Sequence, residues 1–72
     1  MKDRYMNAED TRRFNSFLVA AGYNIGTLAE RIGMSRATLS SRINGKTDFA
    51  RSEMEKIAEA LGHRPEEIFF AA

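Results

Sequence analysis

Apolar residues recur along this chain at helical rather than strand spacing. In "AEDTRRFNSFLVAAGYN", Phe14, Phe17, Leu18 and Ala21 fall at i, i+3, i+4 and i+7, one stripe of an amphipathic helix. Glu9 and Asp10 occupy its first turn, where the positive end of the helix dipole favours acids, and Gly22 supplies a left-handed residue to close it. In "NIGTLAERIG", Asn24 is a good N-cap, Leu28, Ala29 and Ile32 form one face, and Gly33 is the stop. Gly26 in the first turn of that helix costs up to about 1 kcal/mol if the position is interior. "SRATLSSRIN" predicts a third helix capped by Ser35, with Leu39 and Ile43 at i, i+4 and Asn44-Gly45 as its end. "RSEMEKIAEALG" predicts a fourth, with Met54, Ile57, Ala58 and Leu61 on one face and Gly62 as its stop. A short fifth begins at Pro65, a favoured first helical position, and runs through Glu66 and Glu67 into Ile68-Phe69-Phe70. No segment alternates with a period of two. The pattern predicts an all-α domain, a compact bundle of about five short helices over residues 8–72. Residues 1–7, "MKDRYMN", lack periodicity and are expected to be a flexible amino-terminal arm.

A chain of 72 residues is one small domain. It buries only about 60 % of its unfolded surface, so tight packing must replace core size. There is no cysteine and a single histidine, so no disulfide, thiolate site or zinc site is expected. No apolar run approaches the roughly 18 residues of a membrane span, and the start lacks a signal-peptide core. The expectation is a cytoplasmic protein with no membrane association. The net charge of +1 conceals a segregation. From Arg31 to Thr47 the basic residues are Arg31, Arg36, Arg42 and Lys46, with no acid, whereas Glu53 to Glu67 holds Glu53, Glu55, Glu59, Glu66 and Glu67 against Lys56 and Arg64. Charges separated in sequence predict one basic and one acidic face.

Spacing then links the second and third helices. Gly33 ends one, only Met34 intervenes, and Ser35 caps the next, so the pair must cross steeply as in a helix-turn-helix. Ala29 is small enough for close helix approach, Gly33 can take the positive φ of the turn, and Met34, Leu39 and Ile32 fill the wedge. With Leu39 and Ile43 inward, Arg36, Ala37, Thr38, Ser40 and Ser41 lie on or near the outer side. A basic face without large apolar residues can enter the major groove of DNA. Arg36 stands in a first turn, where a cation opposes the dipole by a few tenths to about 1 kcal/mol. A bidentate contact to guanine explains an arginine there better than any structural role.

The stretch "LAERIGMSRATLSSRINGK" with the following "TDFARSEMEKIAEALG" resembles the repressor-type helix-turn-helix domains of phage lambda repressor, 434 repressor and Cro. The resemblance covers roughly residues 8 to 70 and rests on Leu28-Ala29, Gly33, Ser35, Leu39 and Asn44-Gly45-Lys46 in register. It implies a recognition helix at about residues 35–43. Residues matching Arg36, Ala37 and Ser41 face the bases in that family, with Thr38 and Ser40 close by. The Ser35 hydroxyl, the Asn44 side chain and the Gly45-Lys46 loop correspond to phosphate contacts. The start of the second helix at Asn24 and Ile25 meets the backbone across the groove, where helix-terminal amides are natural phosphate ligands.

The departures from the family are specific. At Ile25 the family often has a glutamine that bonds a phosphate and braces the recognition helix, which isoleucine cannot do. Ala37 offers a base only its methyl group. Arg42 stands where many relatives are apolar, so Ile43 is expected in the core and Arg42 at the edge, near a phosphate. Ala50 replaces the usual Ser or Thr cap ahead of Glu53, which halves the capping box at roughly 1 kcal/mol.

The remaining chemistry is sparse. His63 has no motif partner that would make it catalytic, and Glu66-Glu67 suit a helix start rather than acid-base work. No enzyme activity, cofactor, metal or small-molecule ligand is expected. Ile68 and Phe69 can finish the core, while Phe70 is hard to bury, so a homodimer using Phe70 and Phe69 is expected. Two readings follow. One is sequence-specific binding of double-stranded DNA at a two-fold operator by a phage- or mobile-element-type regulator, most simply a repressor. The other is an antitoxin-like or regulatory protein-interaction module on the same scaffold, using the acidic fourth helix and the "IFF" tail.

Overall fold

Each helix begins where the sequence can satisfy its unpaired amides. The computed structural model describes residues 6–69 and contains α1 (Ala8–Ala20), α2 (Ile25–Ile32), α3 (Arg36–Ile43), α4 (Arg51–Leu61) and α5 (Pro65–Ile68). Among the described residues there is no strand. Asn7 caps α1: its Oδ1 accepts the Asp10 N–H at 2.8 Å, and its own N–H donates to Asp10 Oδ2 at 3.1 Å. Asn24 does the same for α2 with Thr27, at 2.8 and 2.9 Å. Ser35 caps α3 by accepting the Thr38 N–H at 3.1 Å. α4 has only half a box: the Ala50 N–H reaches Glu53 Oε1 at 2.9 Å, and Ala50 has no oxygen to return the contact.

The apolar stripes meet in one core. Phe14, Leu28, Leu39, Ile43, Ile57 and Ile68 are fully buried, so every helix contributes to it. Phe49, from the loop before α4, is buried beside them and forms an aromatic cluster with Phe14 and Phe69, at ring separations of 6.4, 5.8 and 5.1 Å. Truncating such a side chain to Ala costs about 2–5 kcal/mol, most of the margin a domain this small commands.

The amino-terminal boundary differs from the sequence expectation. Met6 is buried and Asn7 caps α1, so both belong to the packed domain rather than to a loose arm. The cause is tertiary: the Met6 carbonyl lies against Gly45, in the turn after α3, where a Cβ would drive into it. Residues 1–5, with Lys2 and Arg4, fall outside the described residues.

The turn between α2 and α3 is closed by Gly33 at φ +76°. The Met34 N–H donates to the Ala29 carbonyl at 2.9 Å and the Gly33 N–H to Glu30 at 3.3 Å, so the last carbonyls of α2 are satisfied within the turn.

Candidate nucleic-acid interface

Packing of Leu39 and Ile43 into the core decides which side of α3 faces out. Arg36 and Ala37 are exposed, and Thr38, Ser40 and Ser41 are partly exposed. All five residues expected to face bases therefore lie on the accessible part of α3. The Ser35 hydroxyl accepts the Thr38 N–H and donates to Thr38 Oγ1 at 2.8 Å, which fixes both hydroxyls across the first turn. The Thr38 hydroxyl hydrogen remains available to a partner.

Arg36 reaches back towards α2. A Cβ built on Gly26 would lie 3.7 Å from Arg36 Cζ and 3.8 Å from its Nε, so the guanidinium rests over the first turn of α2. Asn24, the α2 cap, is at the same place: the same Cβ would lie 3.3 Å from its Oδ1. Ile25 packs against the core, leaving the start of α2 to contribute backbone rather than side chain.

At the other end of α3 the geometry divides the expected phosphate contacts. The Gly45 N–H donates to the Arg42 carbonyl at 3.2 Å and the Lys46 N–H to Ser41 at 2.9 Å, so both amides are spent on closing the helix. Gly45, at φ +81°, is held by the shape of that turn and by Met6. The exposed Lys46 side chain remains as a cation. Asn44 Nδ2 is 3.4 Å from Ser40 Oγ, a long contact that leaves most of its amide available. Arg42, expected near a phosphate, donates its Nε to Glu53 Oε1 at 2.9 Å, with each side chain 23 % exposed.

One brace has no sequence signature. The Thr11 hydroxyl donates to the Ile43 carbonyl at 2.6 Å, tying α1 to the last turn of α3 across 32 residues of sequence. Other cations are engaged elsewhere. Arg13 pairs with Asp10 at 3.1 Å, and Arg31 donates to the Tyr23 hydroxyl at 3.0 Å. Phe69, expected at a dimer interface, is half-buried against Phe14 and Phe49, and Phe70 lies outside the described residues. His63 Nδ1 meets Glu67 Oε1 at 2.8 Å, and its ring stands edge-on to Phe17 at 4.6 Å. The His63 hydrogen bond, aided by the Arg64 N–H, holds the Glu67 carboxyl below its usual value of 4.5.

The electrostatics single out two helices. α1 carries Glu9 and Asp10 in its first turn, α4 carries Glu53, and α5 carries Glu66 and Glu67. α2 and α3 carry no acid there, and α3 opens with Arg36. The Arg36 guanidinium, carried by the start of α3, thus lies over the positive start of α2, and Arg36 makes no ion pair among the described residues. Like charges placed in this way raise the local positive potential.

This arrangement defines a helix-turn-helix protein with Arg36 and small polar residues on the accessible side of α3. Residues 16–69 match the family described as helix-turn-helix, and the chain belongs to that Cro- and lambda-repressor-like family of DNA-binding regulators, which is not a family of enzymes. Among solved structures it is similar to the restriction-modification controller protein C.AhdI from Aeromonas hydrophila, at 26 % identity and a TM-score of 0.75, over 85 % of this chain and 92 % of that one. A hypothetical transcription factor, NHTF from Neisseria, shares the fold at 23 % identity and a TM-score of 0.76, over 96 % of this chain and 85 % of that one. No curated protein sequence matches the chain. Among the described residues no helix is long and apolar enough to cross a membrane.

Proposed function

We propose that this protein is a sequence-specific double-stranded DNA-binding regulator that recognises a two-fold operator as a homodimer and represses by occluding it. The observation that carries the reading is the absence of acids from the first turns of α2 and α3 together with Arg36 at the start of α3, whereas α1, α4 and α5 each hold an acid in the first turn, Glu53 offsetting Arg51 in α4. A cation at that position raises the energy of the free protein and lowers it again when an anionic backbone arrives.

In this reading α3 lies in the major groove. Arg36 meets a guanine, Ala37 offers its methyl to a thymine, and Thr38, Ser40 and Ser41 supply short hydroxyl contacts that permit close approach. Phosphates are met by the Asn24-Ile25 start of α2, by Asn44 and by Lys46, and by the Ser35 hydroxyl once its hydrogen turns from Thr38 Oγ1 to the phosphate; together these set the register of the helix on the duplex. Gly45 contributes the shape of the turn. Arg42 contributes its remaining guanidinium N–H groups while its Nε holds Glu53. One domain of this size spans one half-site, which is the reason for proposing a dimer. The controller role named for C.AhdI supports a regulator rather than an architectural DNA protein.

Selection from a random duplex pool tests the proposal. The expected product is a pair of inverted half-sites about one helical turn apart. Repeating the selection with Arg36→Ala should relax one guanine position in each half. Enrichment of nothing at low salt would sink the DNA-regulator reading and redirect the search to a protein partner.

A further inference from the structure

We infer that Gly26 is a positioning residue for DNA readout: its bare backbone is the shelf that sets where the Arg36 guanidinium stands. The inference deepens the DNA-binding reading above and rests on it. Gly26 is the second residue of α2 and has no positive φ, so no backbone requirement calls for glycine there. In an ordinary helical position glycine is a loss relative to alanine. A Cβ there would press on the Asn24 cap oxygen and stand at ordinary contact distance from the Arg36 guanidinium, so only a side chain longer than alanine would displace the guanidinium. The atoms a Cβ would meet are Asn24 Oδ1 at 3.3 Å and the Arg36 guanidinium at 3.7–3.8 Å, and nothing else of the three nearest.

Ile25, the first residue of α2, packs against the core and leaves no side chain from that position to brace α3. The brace is instead built from the other side. Arg36 crosses from the first residue of α3 to the first turn of α2, where its guanidinium lies over Gly26. A planar guanidinium held against backbone loses rotamer freedom before binding, so less is lost when it pairs with a base. A methyl at position 26 would touch its underside and crowd the Asn24 cap. A longer side chain would occupy the shelf and turn the guanidinium away. Position 26 thus acts on base discrimination through Arg36, and a side chain there also presses on the Asn24 cap, which bears on overall affinity.

The experiment compares the wild type with Gly26→Ala and Gly26→Leu, alone and combined with Arg36→Ala. In the free protein, the Nε–Hε signal of Arg36 should be ordered relative to that of the exposed Arg12, and should shift and become mobile in Gly26→Leu. Thermal stability of Gly26→Ala should stay near that of the wild type, the gain in helix propensity offsetting the crowding of the Asn24 cap. On a selected operator, Gly26→Leu should lower discrimination at the base pair that Arg36→Ala relaxes by roughly tenfold, with Gly26→Ala close to the wild type. In the Arg36→Ala background neither substitution should change discrimination further. An Arg36 signal as mobile as that of Arg12 in the wild type would overturn the inference, as would a Gly26→Leu loss of discrimination that persists without Arg36. If the wild type selects no sequence, the DNA reading fails on its own, and the free-protein signal still decides whether Gly26 positions Arg36.

Discussion

A single carboxylate oxygen of Glu53 accepts both the Arg42 Nε, at 2.9 Å, and the Ala50 N–H, at 2.9 Å. The outer helix α3 is thereby fastened to the start of α4 through the atom that also caps α4. Arg42 occupies a position where an apolar residue would have packed, and Glu53 makes it tolerable by supplying a charge-assisted hydrogen bond in a largely shielded place. The orientation of α3 therefore depends on α4 as well as on the turn.

Removal of that oxygen should cost more than removal of a surface ion pair. Glu53→Ala leaves the Ala50 amide and the Arg42 guanidinium without their partner, at about 2 kcal/mol, which lowers Tm by roughly 8–16 °C in a domain of this size. Glu55→Ala breaks the exposed Arg51–Glu55 pair, at 3.5 Å, and should cost under about 0.5 kcal/mol. Conversely, Ala50→Ser restores the missing half of the box and should add about 1 kcal/mol. Thermal melts of the three variants check the ranking; equal losses for Glu53→Ala and Glu55→Ala would contradict the shared-oxygen role.

Two glycines with the same backbone conformation should respond differently to alanine. Gly33 and Gly45 have φ of +76° and +81°, but a Cβ on Gly33 meets nothing within 4 Å, whereas one on Gly45 collides with the Met6 carbonyl. Gly33→Ala should cost only the left-handed strain, about 1–2 kcal/mol. Gly45→Ala adds displacement of the Met6 segment and should cost at least about 1 kcal/mol more. Denaturant unfolding at constant m-value measures the difference. Amide exchange at Met6 and Asn7 should accelerate in Gly45→Ala alone.

Salt dependence should separate the two basic residues at the end of α3. Lys46→Ala should reduce the slope of log K against log salt by about 1 on any duplex the protein binds. Arg42→Ala should reduce it less, because Nε is committed to Glu53, and should lower Tm as well. Filter binding or anisotropy across a salt series gives both slopes. A full unit lost with Arg42→Ala would mean that its guanidinium reaches a phosphate while still holding Glu53.

The α5 start should be acid-sensitive through Glu67. Its carboxyl is depressed below 4.5 by the His63 hydrogen bond first and the Arg64 N–H second. A depressed folded value means that the ionised form stabilises the fold above pH 4.5, and that this contribution fades as pH falls through the folded value. His63→Ala should move the Glu67 titration, followed by NMR, back up towards its usual value. An unchanged midpoint would assign the depression to the Arg64 amide alone.

Much of the fold is local and so was legible in the chain. Asn24, Ser35, Gly33, Gly62 and Pro65 mark helix ends through preferences that hold in isolation, and all occupy the predicted cap, stop or first-turn positions. The apolar stripes of α2, α3 and α4 turned inward as spaced, because three- and four-residue periodicity alone fixes a helix face. The burial of Met6 and the cap at Asn7 are not legible for a complementary reason. A Met and an Asn ahead of an acidic turn carry no periodicity, and only the Gly45 turn passing beside Met6 draws them into the domain. The outer face of α3 was readable as a list of residue types, but the partners of its charges were not.

The sequence by itself determined the five helices, the short turn that joins two of them, and the hydroxyl-and-arginine face of α3, since each follows from interactions within one or two helical turns. Tertiary structure alone decided how the cations are used. Arg42 is drawn to Glu53, 11 residues away, and Arg36 comes to rest over Gly26, while Thr11 ties down Ile43 from another helix. Such choices depend on which backbones approach one another once the core closes. No local preference encodes that approach.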